Sequence, residues 1–197
     1  MTNFDLWLER QLTHTSLFGL QKPISKPMKK PIILLIISIL TSCSTSKTLN
    51  TAVSIDLNQY AGKWFEIARL PNGFEKGLSC VTAEYKVGKQ IEVINRGFNV
   101  ESGKWKTTVG KAKLCGPDGT SQLEVTFFWP FRGDYYVMNV TQDYEYALIG
   151  TPDRSYLWIL SRTPSLSESI KSKYLSQAQS EGFEVSELMW VEHNCEQ

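Results

Sequence analysis

Apolar and polar residues alternate in short runs over most of the chain, beginning at Lys63. Successive side chains of a strand point to opposite faces, so short alternating runs bounded by turn residues predict half-buried strands. Candidate strands cover 63–70, 80–87, 90–98, 104–114, 121–128, 135–141, 146–150 and 156–162. Between them lie turn formers such as Gly88-Lys89, Gly116-Pro117-Asp118-Gly119, Arg132-Gly133-Asp134 and Thr151-Pro152-Asp153. Short strands at near-even spacing predict an all-β sandwich or an up-and-down barrel, and eight strands can close around one small ligand.

The period changes after Pro164. Leu166, Ile170, Tyr174 and Ala178 recur every four residues with Leu175 alongside, an apolar stripe that predicts a helix packed against the outside of the sheet. Ser165 and Glu168 have capping-box spacing, and Gly182 stands where a left-handed helix stop belongs. A last apolar piece, 188–191, suggests one more short strand.

The front of the chain has a different pattern. Lys29 and Lys30 precede the apolar run Ile32–Leu40, which is too short for a membrane span of about 20 residues and reads as a signal peptide over 28–42. Leu40-Thr41-Ser42-Cys43 is similar to the bacterial lipobox, in which the Cys becomes a lipidated N-terminus. Several acyl chains on Cys43 make a stable anchor, since each buried methylene contributes about 0.8 kcal/mol. Residues 1–27 read as an extension upstream of the native start at Met28, and the Ser/Thr-rich stretch 43–54 as a lipidated flexible tether. The domain proper is expected over 55–197. Ser44 is not the Asp that marks inner-membrane retention in some bacteria, so the anchor is expected in the outer membrane, with the domain facing the periplasm.

Charge narrows the partners. The whole chain carries 21 basic and 20 acidic residues; residues 1–42 hold five and two of these, leaving 16 and 18, a net of −2. No basic stripe remains, which excludes nucleic acid as the expected partner.

Tyr60-Ala61-Gly62-Lys63-Trp64-Phe65-Glu66-Ile67-Ala68-Arg69 carries a G-x-W pattern at the first strand, followed by Thr82-Ala83-Glu84-Tyr85 and, after the last barrel strand, by Arg162 in Leu157-Trp158-Ile159-Leu160-Ser161-Arg162-Thr163-Pro164. Together these residues resemble the lipocalin family, most closely its bacterial outer-membrane lipoprotein and apolipoprotein D-like branch, over about 55–195. The family's T-D-Y pattern is degenerate here, with Thr141-Gln142-Asp143-Tyr144 carrying an extra residue. The resemblance implies an eight-stranded antiparallel up-and-down barrel, the lipocalin calyx, with one C-terminal helix outside. Trp64 would plug the closed end with Arg162 across its indole, a cation–π pair worth about 0.5–2 kcal/mol, and Gly62 would leave room for the chain beneath. The opposite rim then carries Leu70, Phe74, Phe128, Trp129, Pro130 and Phe131, apolar for loops. They form either a mouth that meets lipid or a set of side chains tucked over the barrel edge.

Period two assigns the inward face. Trp64, Glu66 and Ala68 share a face on the first strand. Val81, Ala83 and Tyr85 follow on the second, Val93, Asn95 and Gly97 on the third, and Leu123, Val125 and Phe127 on the fifth. The sixth strand is ambiguous and is assigned Tyr136 and Met138 inward; Tyr156, Trp158 and Leu160 complete the wall. The expected ligand-binding lining is therefore Glu66, Ala68, Tyr85, Val93, Asn95, Val125, Phe127, Tyr136, Met138 and Trp158. Tyr85, Asn95 and Trp158 match cavity positions of the apolipoprotein D-like branch. A lone buried Glu66 is costly, so it should pair with an Arg or hydroxyl or hold its proton. About ten buried methylenes at ~0.8 kcal/mol give ~8 kcal/mol before ordering costs, enough for micromolar binding of a fatty acid or lysophospholipid.

Cys80, Cys115 and Cys195 allow three pairings, and an exported chain permits oxidation; the resemblance selects Cys80–Cys195. Cys115 then stands alone near the closed end. The sequence carries no G-x-S-x-G, no metal-ligand spacing and no phosphate-binding glycine loop, so neither enzyme chemistry, cofactor nor metal is expected. The expected role is binding, storage or transport of small hydrophobic molecules for envelope maintenance. Rival roles are a lipocalin-fold isomerase or lipid-modifying enzyme using Cys115, and a module docking protein partners through the rim. Oligomeric state is left open.

Overall fold

A computed structural model describes residues 48–52, 54–116 and 121–195. Cys43, the expected signal segment 28–42, the expected extension 1–27 and most of the Gly116–Gly119 turn lie outside the described residues.

A four-residue helix α1 (Leu57–Tyr60) enters the sheet. Strands β1 (Gly62–Arg69), β2 (Leu78–Val87), β3 (Ile91–Asn99), β4 (Lys104–Leu114), β5 (Gln122–Thr126), β6 (Gly133–Val140), β7 (Tyr146–Gly150) and β8 (Leu157–Ser161) follow in order. Each pairs antiparallel with its sequence neighbour, and β1 pairs with both β2 and β8, which closes the barrel. Helix α2 (Glu168–Glu181), a 3₁₀ turn (Val185–Glu187) and β9 (Met189–Trp190) complete the chain, with β9 adding to β1 at Ala68 and Arg69.

The alternation of burial produces two separate apolar clusters. Inside the barrel lie Tyr60, Trp64, Tyr85, Val93, Leu123, Val125, Val137, Ile149 and Leu160. Outside it, Ile67, Ala68, Met138, Leu148, Leu157 and Ile159 pack under Tyr174 and Ala178 of α2. Strands β6 to β8 are thus apolar on both faces, because one face meets the interior and the other meets the helix.

The helix begins two residues later than the capping-box spacing indicates. Ser167 is the N-cap, extended at φ −70° and ψ 147°, and its hydroxyl accepts from the Ile170 amide at 3.4 Å. Ser165 instead gives its carbonyl to the Ser161 hydroxyl. At the other end Gly182 adopts φ 92°, which a side chain would strain.

The segment before the barrel is fixed where the described residues begin. Leu49 is buried in the helix-side cluster, and the Ala52 amide donates to the Val137 carbonyl at 2.9 Å. The Ser121 hydroxyl donates to the Ala52 carbonyl, and Asn50 donates to Glu181. The last part of the stretch expected to be a flexible tether is therefore docked on the barrel wall.

Candidate functional site: the barrel interior

The closed end is built around Trp64, which is fully buried and donates its indole N–H to the Tyr60 carbonyl at 2.8 Å. The Arg162 guanidinium lies 3.7 Å from the Trp64 ring centroid. It also donates to the carbonyls of Gln59, Lys63 and Tyr144, which satisfies the end of α1 and ties β1 to the β6–β7 turn. Gly62 sits at φ 91°, and a Cβ there would lie 3.5 Å from Arg162 Nη1. Left-handed backbone and close approach both call for glycine.

Above the plug an aromatic column follows the barrel. The hydroxyls of Tyr60 and Tyr135 are 2.7 Å apart. The Tyr135 ring stacks on Trp158 at 6.3 Å, and Trp158 stacks on Tyr156 at 5.7 Å. Phe74, from the β1–β2 loop, reaches over Tyr156 and Trp158 at 5.6 and 6.5 Å. Facing this column is a row of small side chains, Ala83, Asn95 and Thr108, in register across β2, β3 and β4. All three are half-buried, as are Tyr135 and Trp158, whereas Trp64 and Tyr60 at the base are fully buried. Asn95 Oδ1 is buried and has no hydrogen-bond partner among the described residues.

A charged cluster occupies the wall near the mouth. Arg69 Nη1 donates to Glu66 Oε1 at 2.5 Å, and its Nη2 donates to the carbonyls of Glu75 and Leu78. Glu75, on the mouth loop, accepts from Trp158 Nε1 at 3.2 Å and from Asn72. Glu66, Arg69 and Glu75 are only 4%, 3% and 6% exposed. Two carboxyls share one guanidinium, so burial first, and the neighbouring Glu75 second, push the Glu66 carboxyl well above the usual range against the pull of Arg69. Burial likewise raises the Tyr85 phenol, with Glu66 and Glu75 adding to the effect.

The structure sorts the expected lining. Glu66, Tyr85, Val93, Asn95, Val125, Phe127 and Trp158 lie on the inner face, by burial or by strand register. Three residues do not. Ala68 packs in the helix-side cluster, because the register shifts between Glu66 and Ala68 and the extra residue, Ile67, reverses the faces. The same shift turns Arg69 inward, where simple alternation would not place it. Tyr136 and Met138 also belong to the helix side, and Tyr135 and Val137 take the inner face of β6. With apolar residues at four consecutive positions of β6, alternation carries no information about which pair faces in. Glu75 and Phe74 come from a loop, where strand periodicity is silent.

Cys80 and Cys195 form a disulfide spanning 115 residues, and Cys115 is a free, exposed thiol. Burial, then Asp134 and Glu124, raise the Cys115 thiol above its ordinary value; such a thiol is not an activated nucleophile. A separate cleft of about 250 Å³ lies on the outer wall beside the disulfide, where Lys63 covers Phe65 and Arg96 covers Trp105.

Comparison with known proteins agrees with this architecture. Residues 55–193 match the family model described as a lipocalin-like domain. The chain is 45% identical over 147 residues to the outer membrane lipoprotein Blc of Citrobacter freundii, covering 74% of this chain and 83% of that protein. It is 34% identical over 122 residues to bovine apolipoprotein D, covering 57% and 64%. Among solved structures, insecticyanin from the tobacco hornworm Manduca sexta superposes with a TM-score of 0.60 at 25% identity, covering 73% of this chain and 84% of that one.

Proposed function

The chain belongs to the lipocalin family, and from that premise we propose that it binds fatty acids, lysophospholipids or similar single-chain amphiphiles in the upper barrel. We place it at the outer membrane, held by acyl chains on Cys43 and facing the periplasm, where it serves envelope maintenance. The observation that carries the reading is the contrast within the interior: a fully buried aromatic base around Trp64, and above it inward-facing side chains that are only half-buried, Ala83, Asn95, Thr108, Tyr135 and Trp158. Asn95 Oδ1 has no partner among the described residues, so a ligand hydroxyl or a water has a hydrogen bond to make. The two relatives named above, a bovine apolipoprotein and a bacterial outer membrane lipoprotein, support both halves of the proposal.

An acyl chain entering this space slides between the small-residue row and the aromatic column, displacing Phe74 from the mouth. Burial of about ten methylenes contributes ~8 kcal/mol, and after ordering costs a dissociation constant of micromolar or below is expected. Native mass spectrometry of the purified protein should show one bound lipid, and the delipidated protein should regain it on titration. Ala83→Trp, which fills the row, should weaken binding at least tenfold without lowering the unfolding midpoint. An unliganded protein that takes up neither fatty acid nor lysophospholipid below about 10 μM would end the proposal.

A further inference from the structure

The rim of the barrel is apolar and exposed in a way the interior does not require. Phe74, Val100, Phe128 and Trp129 are 63%, 63%, 69% and 82% exposed, and Phe131 lies beside them. They come from three loops, those following β1, β3 and β5. In an up-and-down barrel those loops all lie at the end opposite the Trp64 plug. Single exposed apolar residues are ordinary, but a ring of them on protruding loops marks a surface that meets something.

Where the chain leaves the wall says what it meets. Asn50 is held by the Glu181 carboxylate at the end of α2, and Arg154, in the β7–β8 loop, donates to the Glu181 carbonyl at 3.0 Å. The β7–β8 loop belongs to the open rim, so the docked segment is fastened on the mouth half of the barrel and emerges there at Thr48. Cys43 is five peptide steps earlier, a reach of at most about 18 Å. Strand β6, with eight residues, rises about 20 Å along a barrel axis at the usual tilt. The connection therefore reaches a bilayer beyond the mouth more readily than one beneath the closed end. Charges around the ring are mixed, with Lys76, Lys104 and Arg132 against Glu101, Asp134 and Asp153, so the contact is apolar in character and needs no anionic lipid.

We propose that the open rim is a membrane-docking surface: Phe74, Val100, Phe128 and Trp129 enter the headgroup and acyl boundary of the leaflet that holds the Cys43 anchor, with the mouth facing the lipid. The occupant is the bilayer itself, and a ligand passes between leaflet and barrel without crossing water. The proposal rests on the lipid anchor and on amphiphile binding as read above.

The test uses the full lipidated protein reconstituted into phosphatidylethanolamine vesicles. A photo-crosslinking p-benzoylphenylalanine replaces Trp129 in one sample and Gln142, in the closed-end turn, in another; both positions are exposed. Lipid adducts at 129 should exceed those at 142 at least tenfold. Equal yields, or adducts at 129 chiefly to a second copy of the chain, would overturn the docking. A second variant, Phe128→Ser with Trp129→Ser, should slow lipid transfer from vesicles at least tenfold at an unchanged unfolding midpoint; unchanged transfer counts against the proposal. Intact mass of the same samples reports Cys43 acylation and bound lipid. If those are present while the crosslinks fail, docking alone is refuted, and if they are absent the proposed function fails first.

Discussion

Replacing Glu66 by Gln keeps the shape of the side chain and removes one of two carboxyls from a buried cluster that contains a single guanidinium. In the native protein the Glu66 oxygen accepts from Arg69 at 2.5 Å, and a proton on its other oxygen is favoured because both burial and Glu75 disfavour a second negative charge. Gln reproduces that protonated arrangement, with an oxygen for Arg69 and an N–H₂ for Glu75. The sign of the pH effect follows from linkage. Below the unfolded value of about 4.5 both states hold the proton, and Glu66 adds no pH dependence. Above it the unfolded chain loses the proton while the folded protein keeps it, so wild-type stability falls by up to about 1.4 kcal/mol per pH unit until the folded carboxyl ionises. The substituted amide has no proton to lose. Urea unfolding of both proteins at half-unit steps from pH 4 to 8 should show near-equal stability at pH 4 and a growing advantage for Glu66→Gln as pH rises. A difference that is flat across this range, or that moves in favour of the wild type, would show that Arg69 holds Glu66 as an ordinary ion pair and would refute the argument.

Arg162→Ala uncovers the buried Trp64 ring and frees three carbonyls at the closed end. Because the guanidinium is only partly buried, the expected loss is about 2–4 kcal/mol in urea unfolding, and Arg162→Lys should recover less than half of it, since one ammonium cannot reach all of these acceptors. Paired Cys80→Ser and Cys195→Ser substitutions open a 115-residue loop, for which chain entropy alone predicts a loss of about 4–5 kcal/mol in the same assay. A loss under about 1 kcal/mol would mean that the barrel itself restrains the C-terminal segment.

Much of this fold is legible from alternation, because most strands have one face in the barrel and one in water. Strand β4 and strand β7 follow the alternating pattern to the residue, as 104–114 and 146–150. Legibility fails where a second core covers the outer face. Tyr135, Tyr136, Val137 and Met138 are all apolar because the interior and α2 each claim two of them. It fails again at Ile67, where one inserted residue changes the phase within a strand whose amino acids look unremarkable. The closed end was readable because G-x-W and a distant Arg carry a family resemblance, whereas the partners of Glu66 were not: Arg69 is hidden by the bulge, and Glu75 lies on a loop with no period. The helix cap moved by two residues because three serines at 165, 167 and 169 compete for the role.

The bulge at Ile67 makes one strand serve two masters. Before it, β1 offers Trp64 and Glu66 to the cup; after it, the same strand offers Arg69 to the cup and the smallest of its side chains, Ala68, to the helix. Smoothing the bulge with Ile67 kept would leave every amino acid unchanged and yet exchange their destinations, driving a guanidinium beneath Tyr174. Among descendants of this chain, an added residue beside Ile67 should therefore be rarer than its removal, since removal leaves Glu66 opposite Leu160 and Ala68 opposite Ile159 while an addition upsets the counting of the strand.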